Sequence, residues 1–188
     1  NRDIVYFNNE IAFLNYMNNV QVLLYRITSI VENIEAFFYI QGQAYIIQNK
    51  KIYNFSIVND QVSNNALIVN ITGLKFLTFT PYIAYFWSAI DSSLYGFFAD
   101  NTIKKLQTMT DISNIYEAIY YPSCNMTVFS TNKGMLCYTD EAGPFIIENI
   151  VGKNLFLNKD GFIVGSNDSE VSFYSLWPVF DSEESMAK

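Results

Sequence analysis

A chain of 188 residues that is 51% hydrophobic, 17% aromatic and only 15% charged can bury the core of one domain, which excludes a disordered segment. Sixteen Phe and fourteen Tyr, together with many Ile and Val, favour strands over helices. The net charge of −7, with Arg2 and Arg26 the only arginines, leaves no basic face to displace counterions, so direct nucleic-acid binding is not expected.

Other broad classes are narrowed in the same way. The most apolar uncharged stretch, Phe76 to Ile90, is shorter than the ~20 residues of a membrane-crossing helix and contains Pro81, so no membrane span is expected. The chain starts at Asn1 with no signal-like segment, as a processed form or a fragment would. Cys124 and Cys137 are too few for a secreted disulfide scaffold, which favours an intracellular, cytoplasmic setting. Four Asn-x-Ser/Thr sequons, at Asn54, Asn70, Asn125 and Asn167, are about as many as this composition gives by chance and decide nothing.

In chain order, the first aromatic-rich run is VYFNNEIAFLNYMNNVQVLLY. It reads as strands, but Val20, Leu23, Leu24, Ile27, Val31 and Ile34 also follow helical spacing, so an amphipathic helix within 10–35 stays open. From Ile34 comes IEAFFYIQGQAYIIQNKKIYNFSI, with a polar turn at Asn49-Lys50 and a further strand over Ala66–Ile71. From Leu74 comes LKFLTFTPYIAYFWSAIDSSLYGFFAD, turning at Asp91-Ser92-Ser93, then a strand over Ile103–Gln107. From Ile115 comes IYEAIYYPSCNMTVFSTNKGMLCYTD, turning at Asn132-Lys133-Gly134, then a strand over Pro144–Asn149. The last run, KNLFLNKDGFIVGSNDSEVSFYSL, starts at Lys153 and turns at Asn167-Asp168-Ser169. Short β-runs punctuated by Asn, Asp, Gly and Ser are hairpin signals.

These runs repeat. Phe38, Phe79 and Tyr120 are spaced 41 residues apart, Pro81 and Pro122 share that offset, and Phe156 follows Tyr120 by 36. Four strands in roughly 40 residues make one propeller blade, whereas a sandwich or another barrel has no reason to keep such a period. The expected fold is all-β: a β-propeller of about four to five four-stranded blades over residues 1–180, or part of a larger one, followed by an acidic tail at 181–188. Seven blades at this spacing would exceed the chain, so edges along residues 1–15 and 170–180 are expected to meet further blades or a partner.

Ile115–Asp140 resembles a WD repeat. Its YYPS stands where that family has Phe-Ser-Pro-Asp, TNKG fills the loop before the third strand, and Tyr138–Asp140 falls where Trp-Asp ends the repeat. FTP at Phe79–Pro81 and FFAD ending at Asp100 look like a looser copy. The resemblance covers about residues 34–180 and implies a divergent WD-repeat-like propeller held by apolar packing. The family's Asp–His–Ser/Thr–Trp network cannot form, because the chain has no His.

Without His, neither a Ser-His-Asp or Cys-His arrangement nor a His-containing zinc site is possible, and two cysteines make no zinc cluster. No phosphate-cradling glycine loop is present. No catalytic residue, cofactor, metal or disulfide is expected, and the chain reads as a non-enzyme. The leading function is a protein-interaction scaffold within a multi-protein complex. Its partner-contact residues would be Asn49, Lys50, Asp91, Ser92, Asn132, Lys133, Asn167 and Asp168, with Trp177 and Phe180 in an aromatic cluster that reads first as a fourth core strand and second as a partner anchor. The alternatives are an extracellular glycosylated ligand-binding propeller and a propeller hydrolase fragment. If 126–130 and 135–139 pair around the 131–134 loop, Cys137 lies opposite residue 128 and over ~13 Å from Cys124 by strand rise, beyond the ~7 Å reach of a disulfide.

Overall fold

The computed structural model describes residues 2–7, 10–17, 20–28, 34–58, 61–122, 125–139, 143–148, 154–157, 163–166 and 171–174, with side-chain surroundings over 34–54, 68–122, 125–139 and 154–155. The described residues form five antiparallel sheets, each a meander in which sequence neighbours pair. Sheet I holds β1 (Arg2–Phe7), β2 (Glu10–Met17) and β3 (Val20–Thr28). Sheet II holds β4 (Ile34–Ile40), β5 (Gln43–Gln48), β6 (Lys51–Val58) and β7 (Gln61–Asn70). Sheet III holds β8 (Lys75–Phe79), β9 (Ile83–Ser88), β10 (Ser93–Phe98) and β11 (Ile103–Thr108). Sheet IV holds β12 (Ile115–Tyr121), β13 (Met126–Thr131), β14 (Gly134–Thr139) and β15 (Gly143–Glu148). Sheet V holds β16 (Asn154–Leu157), β17 (Ile163–Ser166) and β18 (Val171–Tyr174). No helix of the described residues is long and apolar enough to cross a membrane.

The 41-residue period is thus a sheet period. The turns at 49–50 and 132–133 and the strands expected over 103–107 and 144–149 fall within a residue of where the sequence places them, and the strand expected over 66–71 begins earlier, as Gln61–Asn70. The turn expected at 167–169 lies outside the described residues. Val128 pairs with Cys137, the register expected from the 131–134 loop; Cys137 is a fully buried thiol, and Cys124 lies outside the described residues. Two expectations change. The helical reading of 10–35 gives way to β2 and β3. Not every sheet has four strands: among the described residues, sheets I and V have three.

The cause of the helical signal is local. Phe13 pairs with Tyr25 and Leu14 with Leu23, so Leu24 is an extra residue bulged out of β3. A bulge shifts the period-2 alternation by one, and two adjacent leucines then mimic helical spacing.

Residues 1–72 with 98–103 form one compact unit, and residues 73–97 with 104–188 form a second. In the first, sheet II buries Phe38, Ile40, Tyr45, Ile46, Ile47 and Ile52, and the cross-strand pair Phe38–Tyr45 stacks at 5.0 Å. In the second, β12 lies beside β8 on one side and β16 on the other, so first strands neighbour one another. All six residues of β9 and all six of β13 are buried, whereas four of the six in β11 are exposed. In sheets III and IV burial is therefore greatest in the second and third strands, and in sheet III it gives way to solvent at the fourth. Tyr85 of β9 meets Phe129 edge-on at 5.3 Å and Tyr138 at 5.9 Å, locking sheet III to sheet IV.

Bulges recur in the first strands, at Glu35, Leu77 and Tyr116. A bulge leaves ladder carbonyls unpaired. At β12 the Lys75 ammonium caps two of them, donating to the Ile115 and Tyr116 carbonyl oxygens at 2.9 Å each. On the other side, the Glu117 carboxylate accepts the Leu155 N–H of β16.

Candidate partner-binding face

In sheets II and III the second-to-third-strand turn sits at the same end as the connection to the next sheet, and a backbone hydrogen bond ties the two together. In the first unit, Asn49 and Lys50 form a two-residue turn with φ of 49° and 58°, the left-handed pair of a tight hairpin. The Ile71 N–H donates to the Lys50 carbonyl at 2.8 Å. Lys50 also donates its own N–H and its ammonium to Glu35. Burial pushes the Glu35 carboxyl up, but the Lys50 hydrogen bonds more than offset it and leave it below the ordinary value. Lys50 is therefore engaged within its own sheet, while Asn49 is exposed.

In the second unit three segments come together: the 89–92 turn of sheet III, the 109–114 connection and the 132–133 turn of sheet IV. The Met109 N–H donates to the Ser92 carbonyl at 2.7 Å. The Asn132 side-chain oxygen accepts the N–H groups of Ser113 at 2.9 Å and Asn114 at 3.1 Å, and its own N–H donates to the Asn114 carbonyl. Thr131 closes the same turn, donating its hydroxyl to the Gly134 carbonyl and accepting the Lys133 N–H. Lys133 itself is exposed.

Asp91 is the electrostatic centre of the face. Its carboxylate accepts the Tyr95 hydroxyl at 2.8 Å and pairs with Lys105. The Lys105 hydrogen bond, helped by Ser88, holds the Asp91 carboxyl far below the usual carboxylate range. In return Asp91 raises both Tyr95 and Lys105, whose ammonium also lies 5.7 Å from the Tyr95 ring centre. Such a depressed carboxyl is a structural anion rather than a proton donor.

Of the sequence-derived contact residues, Lys50, Asp91, Ser92 and Asn132 thus hold the turns in place, and Asn49 and Lys133 face solvent. Asn167, Asp168, Trp177 and Phe180 lie outside the described residues. Sequence reasoning missed Ile90. It stands 86% exposed between the buried Ser88 and the pinned Asp91, with its Cδ1 3.1 Å from where a side chain on Gly73 would begin. A large apolar residue inside a turn that otherwise holds only Ala89, Asp91 and Ser92 was the available signal. At the end of β11 and the start of the 109–114 connection, a cleft of about 230 Å³ is rimmed by Gln107, Thr108, Thr110 and Asp111 and floored by Met109, Ile112 and Leu136. At the opposite end of sheet III, Phe79 and Tyr82 are also exposed, at 37% and 55%.

No protein-family model matches this chain. No curated protein matches it in sequence. Solved structures do. Hsv2 of Kluyvelomyces marxianus aligns with 91% of this chain and 58% of its own, at 12% identity and a TM-score of 0.54. The "putative 6-phosphogluconolactonase" of Bacteroides uniformis aligns with 92% of this chain and 65% of its own, at 13% identity and 0.51. Virginiamycin B lyase of Staphylococcus aureus aligns with 89% and 63%, at 11% identity and 0.50. The chain spans about three fifths of the length of these solved chains. The likeness supports a propeller fold. It also corrects the reading of the chain as a non-enzyme: a lyase and a protein assigned as a lactonase share this architecture, so the missing His motifs do not exclude catalysis.

Proposed function

We propose that this chain is part of a divergent WD-like propeller that binds a protein partner within a larger assembly, through the end of sheets III and IV carrying Ile90. The observation that carries this reading is an apolar side chain at 86% exposure on a turn whose backbone is held from both sides, by Asp91 within sheet III and by Met109 across the connection. A pre-ordered apolar anchor loses little entropy on binding, and interface energy concentrates in a few such residues. The cleft at the start of the 109–114 connection, at about 230 Å³, is below the 300–1,000 Å³ of ordinary small-molecule pockets and suits one or two side chains of a partner. With Asp111 on its rim, it favours a basic group flanked by apolar contacts.

The test is a photo-crosslinking residue placed at position 90, compared with one at the exposed Lys104 of β11, in cells of the source. The reading requires a discrete adduct at 90 that excess unlabelled chain competes away and that Lys104 does not give. Equal labelling at both positions would sink it. An intracellular setting goes with this reading, and cell fractionation tests it.

A further inference from the structure

Five carboxylates lie where side-chain surroundings are described: Glu35, Asp91, Asp100, Asp111 and Glu117. Four of them are engaged. Glu35 accepts from Lys50, and Asp91 from Tyr95 and Lys105. Asp100 accepts the N–H and the hydroxyl of Thr102, and Glu117 accepts the Leu155 N–H. Asp111 alone has neither a hydrogen-bond nor an ion-pair partner among the described residues. Its backbone is nevertheless fixed. Thr110 and Asp111 are the central residues of a tight turn closed by the Ile112 N–H, which donates to the Met109 carbonyl at 3.0 Å. Both ends of that turn are pinned, by the Met109 N–H on the Ser92 carbonyl and by Ser113 and Asn114 on the Asn132 side chain. A charge held on such a frame loses little entropy when a counter-charge arrives.

Asp111 also stands on the rim of the cleft of about 230 Å³, which joins two chemistries. The floor is apolar, made of the buried Met109, Ile112 and Leu136. The rim is made of acceptors: the Asp111 carboxylate, the Gln107 amide oxygen and the Thr110 hydroxyl, all exposed. Among the described residues that line it, none is cationic, and Lys105 of β11 is already paired with Asp91.

We propose that this cleft receives one arginine side chain of the protein partner, an inference that rests on the partner-binding reading and gives that partner its chemistry. The aliphatic stem of the arginine lies along Met109, Ile112 and Leu136, as the stems of long basic side chains do on apolar surface. Its guanidinium pairs with Asp111, and the N–H groups left over reach Gln107 and Thr110. Lysine suits the site less well. Its ammonium is a strongly hydrated point charge with three donors, whereas the guanidinium is a weakly hydrated planar fork with five. A neutral or acidic side chain leaves Asp111 without a counter-charge.

The experiment titrates the chain with three capped tripeptides, in which two alanines flank arginine, lysine or citrulline, the last an uncharged isostere of arginine. Backbone NMR shifts are followed at Thr110, Asp111 and Ile112. The arginine peptide at millimolar concentration is expected to move them, the lysine peptide to move them less, and the citrulline peptide to leave them unchanged. Asp111→Asn removes the charge from an exposed turn and keeps the floor. It should weaken the arginine peptide by about tenfold or more and diminish the adduct formed through position 90. No shifts with the arginine peptide, equal shifts with lysine or citrulline, or shifts that survive Asp111→Asn would overturn the proposal. An adduct at position 90 undiminished by Asp111→Asn overturns it too, and leaves the partner-binding reading standing. If the parent chain gives no adduct at 90, that reading falls, and the peptide titrations alone decide the cleft.

Discussion

Sheets III and IV solve one problem in two ways. Both must hold a turn between second and third strands beside the 109–114 connection. Sheet III does it with charge, gathering Lys105 and Tyr95 of its own strands onto Asp91. Sheet IV does it with a neutral amide that reaches out of the sheet, Asn132 accepting from Ser113 and Asn114. The first device is internal to sheet III and answers to pH and salt; the second ties the sheet IV turn to the connection in front of β12 and answers to neither. Rigidity at one position of a repeat therefore does not require one residue type, and the turn can diverge while the framework stays.

That framework should dominate any attempt to break the pair. Phe129, fully buried against Tyr85, belongs to both sheets. Phe129→Ala should destabilise by about 3–5 kcal/mol in denaturant unfolding, far beyond any turn variant. Gly96→Ala comes next. A Cβ there would stand 2.4 Å from Ile83 Cδ1 inside sheet III, so overpacking should cost about 1–3 kcal/mol. If Gly96→Ala proved neutral, sheet III would have slack that sheet IV lacks.

Turn variants separate the two devices. Asn132→Ala removes acceptors from two exposed N–H groups that water can then satisfy, so it should cost about 1 kcal/mol, equally at pH 4 and pH 7. A cost that varies with pH would mean a charge had been overlooked. Asp91→Asn acts differently. The folded carboxyl lies below its ordinary value, so its contribution is present above about pH 4 and is lost as pH falls through the depressed folded value. The side chain is one-third exposed, so salt should shrink the effect. Thermal unfolding from pH 7 to pH 2 should show a flatter acid limb in Asp91→Asn than in the parent. The Tyr95 phenol should also ionise at lower pH in the variant, because the carboxylate that raises it is gone.

How much of this could be read from the sequence follows from what is local. The sheet period, the turns at 49–50 and 132–133, and the pairing of Cys137 with Val128 come from spacing and turn chemistry, which act within a few residues. The bulge at Leu24 was hidden because it imitates another period. Asn132 read as a loop contact, since nothing in its neighbourhood reveals that its partners lie 18 and 19 residues back. Asp91 read the same way, although Tyr95 four residues on and Lys105 on β11 neutralise it. Polar turn residues signal a turn; whether they face a partner or the turn itself depends on distant pairings.

Ile90 gives the smallest expected effect on stability and the sharpest use of the comparison. Asp91 and Asn132 hold their turns, so their replacement should loosen backbone bonds. Ile90 holds nothing: at 86% exposure it removes little apolar surface from water, and Ile90→Ser should leave stability unchanged within about 0.5 kcal/mol. Its Cδ1 lies 3.1 Å from where a side chain on Gly73 would begin, a space that a serine at 90 would leave open. Hydrogen exchange of the Met109 amide, bonded to the Ser92 carbonyl, reports whether the turn is intact. Unchanged Met109 exchange together with loss of the crosslinked adduct would give Ile90 a binding role on a frame that Asp91 maintains. Faster Met109 exchange in Ile90→Ser would show instead that the side chain braces the 89–92 turn, and Ile90 would then join Asp91 and Asn132 as a structural residue.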